Sequence, residues 1–241
     1  MNRKICSVYL GRVSYKDGLA YQKKARELVR QGTWDGIVLL LQHEPVITIG
    51  RHGGASHLLV SPDWLAANRI ELQPTNRGGD ITCHNPGQLV CYPIMNLKQW
   101  TPDVHWYVRQ LEESLIQMLQ RLGIRAGRKA MYTGVWVGNK KLAAIGIGVR
   151  HWITFHGMAL NICNDLTLFS HIIPCGITEF GVTSVQKQGC QIALTAAIPL
   201  LLNSFTTAFP HNTYTHFSDW GDLYERERNE KAGMAQAACM Q

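Results

Sequence analysis

Two stretches of the chain hold residue types whose spacing could support covalent chemistry. Pro174-Cys175-Gly176-Ile177 sets a cysteine between a proline that fixes the backbone and a glycine that leaves space beside the sulfur. A thiol attacks a carbonyl carbon as its thiolate, which a nearby Lys, His or helix N-terminus must stabilise. Lys141 and His156 are candidates for that neighbour, and a purely structural Pro-Cys-Gly turn is the other option. The second stretch is Arg77-Gly78-Gly79-Asp80-Ile81-Thr82-Cys83-His84-Asn85-Pro86-Gly87-Gln88. Gly78 and Gly79 let the backbone approach a ligand closely, Arg77 offers a rigid donor fork, and His84 can donate or accept near neutral pH. A turn holding a satisfied histidine would use the same residues.

A metal centre fits this pattern poorly. Cys83, His84 and Cys91 lack the short Cys-to-Cys and His-to-His spacings of zinc sites. Adjacent residues on an extended segment also point to opposite faces, so no metal is expected. The seven cysteines are odd in number and never form Cys-x-x-Cys, which indicates a reducing compartment and so a cytoplasmic protein. Cys6, Cys91, Cys163 and Cys190 lie in or beside apolar runs, as small buried hydrophobes do.

These residues need elements to position them. Ile5–Leu10 reads as a strand, followed by a helix from Ser14 to Arg30 with Ser14 and Asp17 as a capping box and Gly32 as its stop. Ile37–Gln42 and Val46–Ile49 read as strand, turn, strand across His43-Glu44-Pro45, and Ser61-Pro62-Asp63 opens a short helix. Gln88–Met95 looks like a strand leaving a tight loop. The clearest helix starts at Asp103, with Val104, Val108, Leu111, Leu115, Met118, Leu119 and Leu122 on one buried stripe ended by Gly123. Thr133–Val137 and Leu142–Val149 flank Gly138-Asn139-Lys140-Lys141 as a hairpin, Trp152–Ile162 is a further strand, and Gln191–Phe209 and Trp220–Ala238 read as closing helices. Hairpin-like strands with few helices between them predict an α+β fold, a mixed or antiparallel sheet with packed helices. The glycine patterns of dinucleotide and phosphate-binding loops are missing.

The 241 residues are 46% hydrophobic and 17% charged, a globular composition. With no repeat or Pro/Gly/Ser-rich linker, one domain over residues 1–241 is expected. The apolar stretches near Ile37–Leu41 and Ile192–Leu202 fall short of the ~20 residues that span a bilayer, so no membrane association is expected. The net charge of +7 is unevenly spread. Residues 1–30 carry +6, residues 121–150 carry +7 with no acid, and the remainder sums to −6. Such segments suit an acidic macromolecule, though solvated surface charge has the same composition. An acidic protein fits them as well as nucleic acid does, and no nucleic-acid motif accompanies them to favour the latter.

In order, Arg77 to His84, Pro86-Gly87-Gln88, Tyr92-Pro93, Lys141-Leu-Ala-Ala-Ile-Gly146, His156-Gly-Met-Ala-Leu-Asn161, Pro174-Cys-Gly-Ile177 and Val182-Thr-Ser184 closely resemble the lipoyl(octanoyl) transferases. The resemblance runs from about residue 5 to 210 and leaves 211–241 unassigned beyond the helix reading. It implies a fold like the catalytic domain of biotin and lipoate protein ligases, with Cys175 and Lys141 as the catalytic pair. It implies an acyl pocket lined by Arg77, Gly78, Gly79, Asp80, Ile81, Thr82, Cys83 and His84, joined by Ala144, Ile145, Gly146, Gly157, Met158 and Ala159, with Tyr92 and His156 in support. An octanoyl chain wants an apolar pocket, which would put Arg77 and His84 at a polar rim. The implied reaction opens lipoate biosynthesis. An octanoyl group moves from acyl carrier protein through a cysteine thioester to a lysine in the lipoyl domains of 2-oxoacid dehydrogenases or the glycine cleavage H protein. No cofactor is implied, and a monomer is the default. Asn85 departs from the glycine of many members, and since Asn tolerates the left-handed conformation, it is expected to keep the loop. The alternatives are an ATP-dependent lipoate–protein ligase, which needs no nucleophilic cysteine, and a non-catalytic lipoyl-domain binding module, which needs neither Lys141 nor Cys175.

Overall fold

Unbroken apolar runs such as Ile37–Leu41 need cover on both sides of a sheet, and the fold supplies it. The computed structural model describes residues 3–173, 180–211 and 213–226. Strand β1 (Lys4–Val13) leads through helix α1 (Tyr15–Arg30) to β2 (Gly36–His43), which lies parallel to β1. Ser14 caps α1 as the sequence predicts: its Oγ accepts from the Asp17 N–H at 3.0 Å and donates to the Asp17 carboxylate at 2.7 Å. Gly32, at φ 79°, turns the chain just past the helix.

A small sheet follows, in which β3 (Val46–Ile49) pairs with β4 (Glu71–Pro74) and β5 (Ile81–His84), while α2 (Pro62–Ala67) starts at the Ser61 cap. Next come β6 (Gln88–Met95), α3 (Val104–Arg121), β7 (Gly127–Lys129), β8 (Tyr132–Val137), β9 (Lys140–Arg150) and β10 (Ile153–Asn161). After these lie β11 (Gly181–Val182), α4 (Leu194–Ala208) and β12 (Thr213–Phe217). Among the described residues the large sheet runs β12-β1-β2-β6-β10-β9-β8-β7, with β11 beside β9. It is parallel at β12-β1-β2 and antiparallel from β2 to β7. The mixed α+β expectation therefore holds.

Alternation along the strands sorts the core. Val38 and Leu40 of β2 with Leu89 and Cys91 of β6 face Leu111, Leu115 and Phe205 of α3 and α4. Their neighbours Ile37, Leu39, Val90 and Ile94 face Ala25 and Val29 of α1. A separate cluster joins Ile47, Ile81 and Cys83 of the small sheet to Leu65, Leu168 and Phe169.

The strand, turn, strand reading across His43-Glu44-Pro45 holds, and at Glu44 the chain leaves the large sheet and starts the small one. Several expectations need correction. The turn between β8 and β9 is only Gly138-Asn139, with Val137 opposite Lys140, so Lys140 and Lys141 belong to β9. Val104 is exposed at the start of α3, and Tyr107 takes the buried place instead. Cys163 is exposed, not a core residue. In the segment expected to be helical after residue 210, Thr213–Phe217 forms a strand parallel to β1 while 220–226 is helical.

Candidate active site

Pro93 sits inside the central strand β6 and has no N–H to offer. Pairing of β6 with β10 accordingly covers only Gln88 to Cys91 against Asn161 to Met158. Beyond it Thr154 substitutes, its Oγ1 accepting from the Met95 N–H at 2.8 Å and donating to the Pro93 carbonyl at 2.7 Å. Between these points His156 takes a left-handed φ of 57° and gives its N–H to Gln22 Oε1 of α1 at 2.7 Å. The next rung pairs Gly157 with Gly146 of β9. A Cβ at Gly157 would stand 2.2 Å from the Cys91 carbonyl, and one at Gly146 would stand 2.8 Å from the Gly78 carbonyl. Gly157 thus lets β10 close on β6, and Gly146 lets the Arg77-Gly78 backbone close down on β9, where the Gly78 N–H donates to the Ile147 carbonyl at 2.7 Å.

A narrow cavity opens at this rung. Ala144, Ile145 and Gly146 of β9, Gly157, Met158 and Ala159 of β10, and Val90 and Tyr92 of β6 line it. Arg77, Gly79, Asp80, Thr82 and His84 close it from the small-sheet side, joined by Tyr15, His156 and Lys141. Strand alternation splits the glycine-rich stretch: Thr82 and His84 face the cavity, whereas Ile81 and Cys83 turn into the core, Cys83 Sγ donating to the Leu168 carbonyl at 3.4 Å. Gly78 serves through its backbone. Tyr15 and Val90 are lining residues that the motifs leave out.

The polar groups lie in the wall, not at a rim. Arg77 is buried, its Nη2 donating to the Thr48 carbonyl at 2.7 Å and to Thr48 Oγ1 at 2.9 Å. His84 stacks on Tyr15 and shares a 2.7 Å hydrogen bond between Nδ1 and Gln88 Oε1. Burial, and then the nearby His43, push the His84 imidazole down to about 3. Burial likewise takes His156 to about 3, with Arg77 and Arg26 adding to it, and His43 to about 4. His43 Nε2 lies 2.7 Å from the Tyr92 hydroxyl, and burial raises the Tyr92 phenol well above its usual value and that of Tyr15 to about 12. These rings are neutral at pH 7, so Arg77, Lys141 and Asp80 are the charged side chains on the wall. Asp80 Oδ2 lies 2.5 Å from His57 Nδ1.

Lys141 enters the cavity from β9 with its Nζ over the Trp136 ring, 4.9 Å from the centroid. Its backbone is held by β11, where Val182 pairs with it and the Thr183 N–H donates to its carbonyl at 2.9 Å. On the other flank the Ile173 N–H donates to the His57 carbonyl at 2.8 Å. Cys175 lies outside the described residues. Among those described, no three His, Cys, Asp or Glu side chains converge as a metal ion would require. No helix among them is long and apolar enough to cross a membrane.

Asn85 meets its loop in an unexpected way. It is not among the residues at positive φ; that conformation falls on Gly87, at 88°. The Asn85 amide instead donates to the Asp165 carbonyl at 2.7 Å and accepts from Asn164 Nδ2 at 3.0 Å, tying the two loops together.

The model of the lipoyl protein ligase A/B catalytic domain family matches residues 14–206. An octanoyltransferase of Thermoanaerobacter sp. (strain X514) is 49% identical over 87% of this chain and 90% of its own length. One from Solibacter usitatus is 47% identical over 80% and 87%. Among solved structures, lipoate-protein ligase A bound with ATP superposes with a TM-score of 0.69 at 17% identity, over 91% of this chain and 89% of the other. The bi-partite lipoate protein ligase of Thermoplasma acidophilum gives 0.68 at 17%, over 94% and 91%. At that identity the two structures speak for the fold alone, while the sequence relatives speak for the acyltransferase activity. The chain belongs to the lipoyl protein ligase A/B catalytic domain family and, within it, to the lipoyl(octanoyl) transferases.

Proposed function

We propose that the protein takes an octanoyl group from acyl carrier protein in the cytoplasm and delivers it to a lysine of a lipoyl domain, by way of a thioester on Cys175. The observation that carries this is the placement of Lys141. It reaches a cavity with apolar walls on β6, β9 and β10, and β11, which follows the segment bearing Cys175, holds its backbone.

The Lys141 ammonium favours the Cys175 thiolate. The thiolate attacks the donor thioester carbonyl, its C–S bond forms as the donor's breaks, and the pantetheine thiolate leaves with the Lys141 proton, which makes Lys141 neutral. One thioester replaces another, so the acyl group stays activated for aminolysis. The acceptor lysine, with an unperturbed pKa near ~10.4, must lose its proton to attack. Solvent takes that proton, and neutral Lys141 takes the second one, shed as the amide forms and the Cys175 thiolate leaves. Val90, Ile145, Met158 and Ala159 offer apolar contact to the acyl chain. The test is incubation of the protein with octanoyl acyl carrier protein and a lipoyl domain, without nucleotide. One octanoyl mass should appear on the domain. Transfer that requires ATP and free octanoate would instead make the protein a ligase.

A further inference from the structure

Behind the α1 side of the cavity, two hydrogen-bonded residues each keep one polar atom without a partner. Gln22 spends its Oε1 on the His156 N–H, leaving Nε2 shielded from solvent with no partner. His156 contacts Asn76 Oδ1 through Nε2 at 2.7 Å, which makes Nδ1 of the neutral ring an acceptor, and it too has no partner. An unpaired donor and an unpaired acceptor on two bonded residues are what an amide group satisfies, since its C=O accepts and its N–H donates. Each buried polar atom left unpaired costs free energy, so the pair is poised for such a ligand.

One turn along α1, the Arg26 guanidinium lies over the Phe155 ring, 4.6 Å from its centroid, with Nε shielded and unpaired. Phe155 pairs with Gly148 across the β9–β10 hairpin and its ring fills the space over that glycine. Arg150, exposed, stands two residues further along the same face of β9. The two arginines are close enough for the charge of Arg150 to lower the affinity of Arg26 for its proton, after burial has done so. No ion pair compensates either one among the described residues. Like charges brought together without an acid form a seat for an anion.

We propose that Gln22 and His156 hold an amide, and Arg26 and Arg150 the phosphate, of the phosphopantetheine arm that carries the donor's acyl group. The subsite rests on the reading of the donor given above, and it places the arm along α1 with its acyl end in the cavity. Among the described residues the Arg26 side chain is held by the Phe155 ring and by no hydrogen bond, so it can turn to the phosphate without breaking one.

Calorimetry on the whole protein with 4′-phosphopantetheine and with pantetheine tests this. The phosphorylated compound should bind about tenfold or more tightly, and Arg26→Gln or Arg150→Gln should remove about tenfold of that advantage, as loss of a charge-assisted hydrogen bond does. Neither variant should change pantetheine binding, which also checks that each has folded; Arg26→Lys should keep part of the advantage. Equal binding of both compounds by the unaltered protein, binding of neither, or loss of both ligands in parallel in the variants would overturn the subsite. Failure of octanoyl transfer from the carrier protein would remove the donor assignment, while the binding comparison still decides whether a phosphate seat exists.

Discussion

Lys141 and the buried histidines carry the two residue-scale expectations. Lys141→Ala should raise the pH midpoint of Cys175 alkylation by about 1 pH unit or more, since an adjacent ammonium favours a thiolate by about 1–3 units. Cys83 and Cys91 will not compete, because burial pushes both thiols far above their usual range, but exposed Cys163 and partly exposed Cys190 must first be replaced by serine, as must Cys239. An unchanged midpoint, followed by peptide mass mapping, would separate the two residues. The second expectation concerns stability. His43, His84 and His156 stay neutral in the fold down to about 4, 3 and 3. In the unfolded chain they take up protons near the usual ~6.5, so below that pH the unfolded state binds more protons and stability falls as pH drops. The slope is about 1.4 kcal/mol per pH unit for each histidine at most. Urea midpoints at pH 7 and pH 5 should differ accordingly, and His84→Gln should shrink the difference. The motifs name Arg77 and His84 but cannot place them: Arg77 is drawn inward by Thr48, an acceptor 29 residues away in the sequence, and local spacing carries no trace of it.

The element that shapes the cavity is β10, where it parts from β6. Thr154→Val should cost about 1–3 kcal/mol, because it leaves the Met95 N–H and one acceptor bond of Pro93 unmade inside the core; urea denaturation measures it. Gly157→Ala should be worse for activity than for secondary structure, since its Cβ cannot coexist with the Cys91 carbonyl at 2.2 Å and must push β10 off the rung beneath Arg77. A variant with normal transfer rates would show that the rung does not shape the site. Helices were readable from the sequence where caps and stripes are local, as at Ser14 and Asp103. β5 was hidden inside a glycine-rich stretch, and β11 and β12 were missed, because short strands exist only through their partners: β9 for β11 and β1 for β12. Pro93 argues against a central strand, and only the Thr154 hydroxyl, 61 residues away, resolves that conflict.

At the scale of the molecule the basic segments divide into structural and free charge. Arg128 is structural. With Arg109 it neutralises Glu112, whose side chain is 1% exposed and also accepts from the Gly134 N–H. Arg128→Glu should therefore destabilise by about 3–5 kcal/mol, the cost of stranding a buried charge, and says nothing about docking. Arg121 and Arg125 are exposed and form no ion pair among the described residues. They suit an acidic carrier, and kcat/KM for a carrier-bound donor should fall as salt shortens the screening length from about 8 Å to about 3 Å. Arg125→Glu should flatten that fall, while a small octanoyl thioester should respond weakly. Parallel loss with both donors would place the effect in the site. The composition showed the charge imbalance, but not which arginines an acid across the fold had already claimed. The central claim, a thioester on Cys175, is tested most directly by intact mass after incubation with octanoyl acyl carrier protein. One octanoyl adduct, labile to hydroxylamine and lost in Cys175→Ala, is the predicted result; an adduct that persists in that variant, or full turnover without the cysteine, would contradict it.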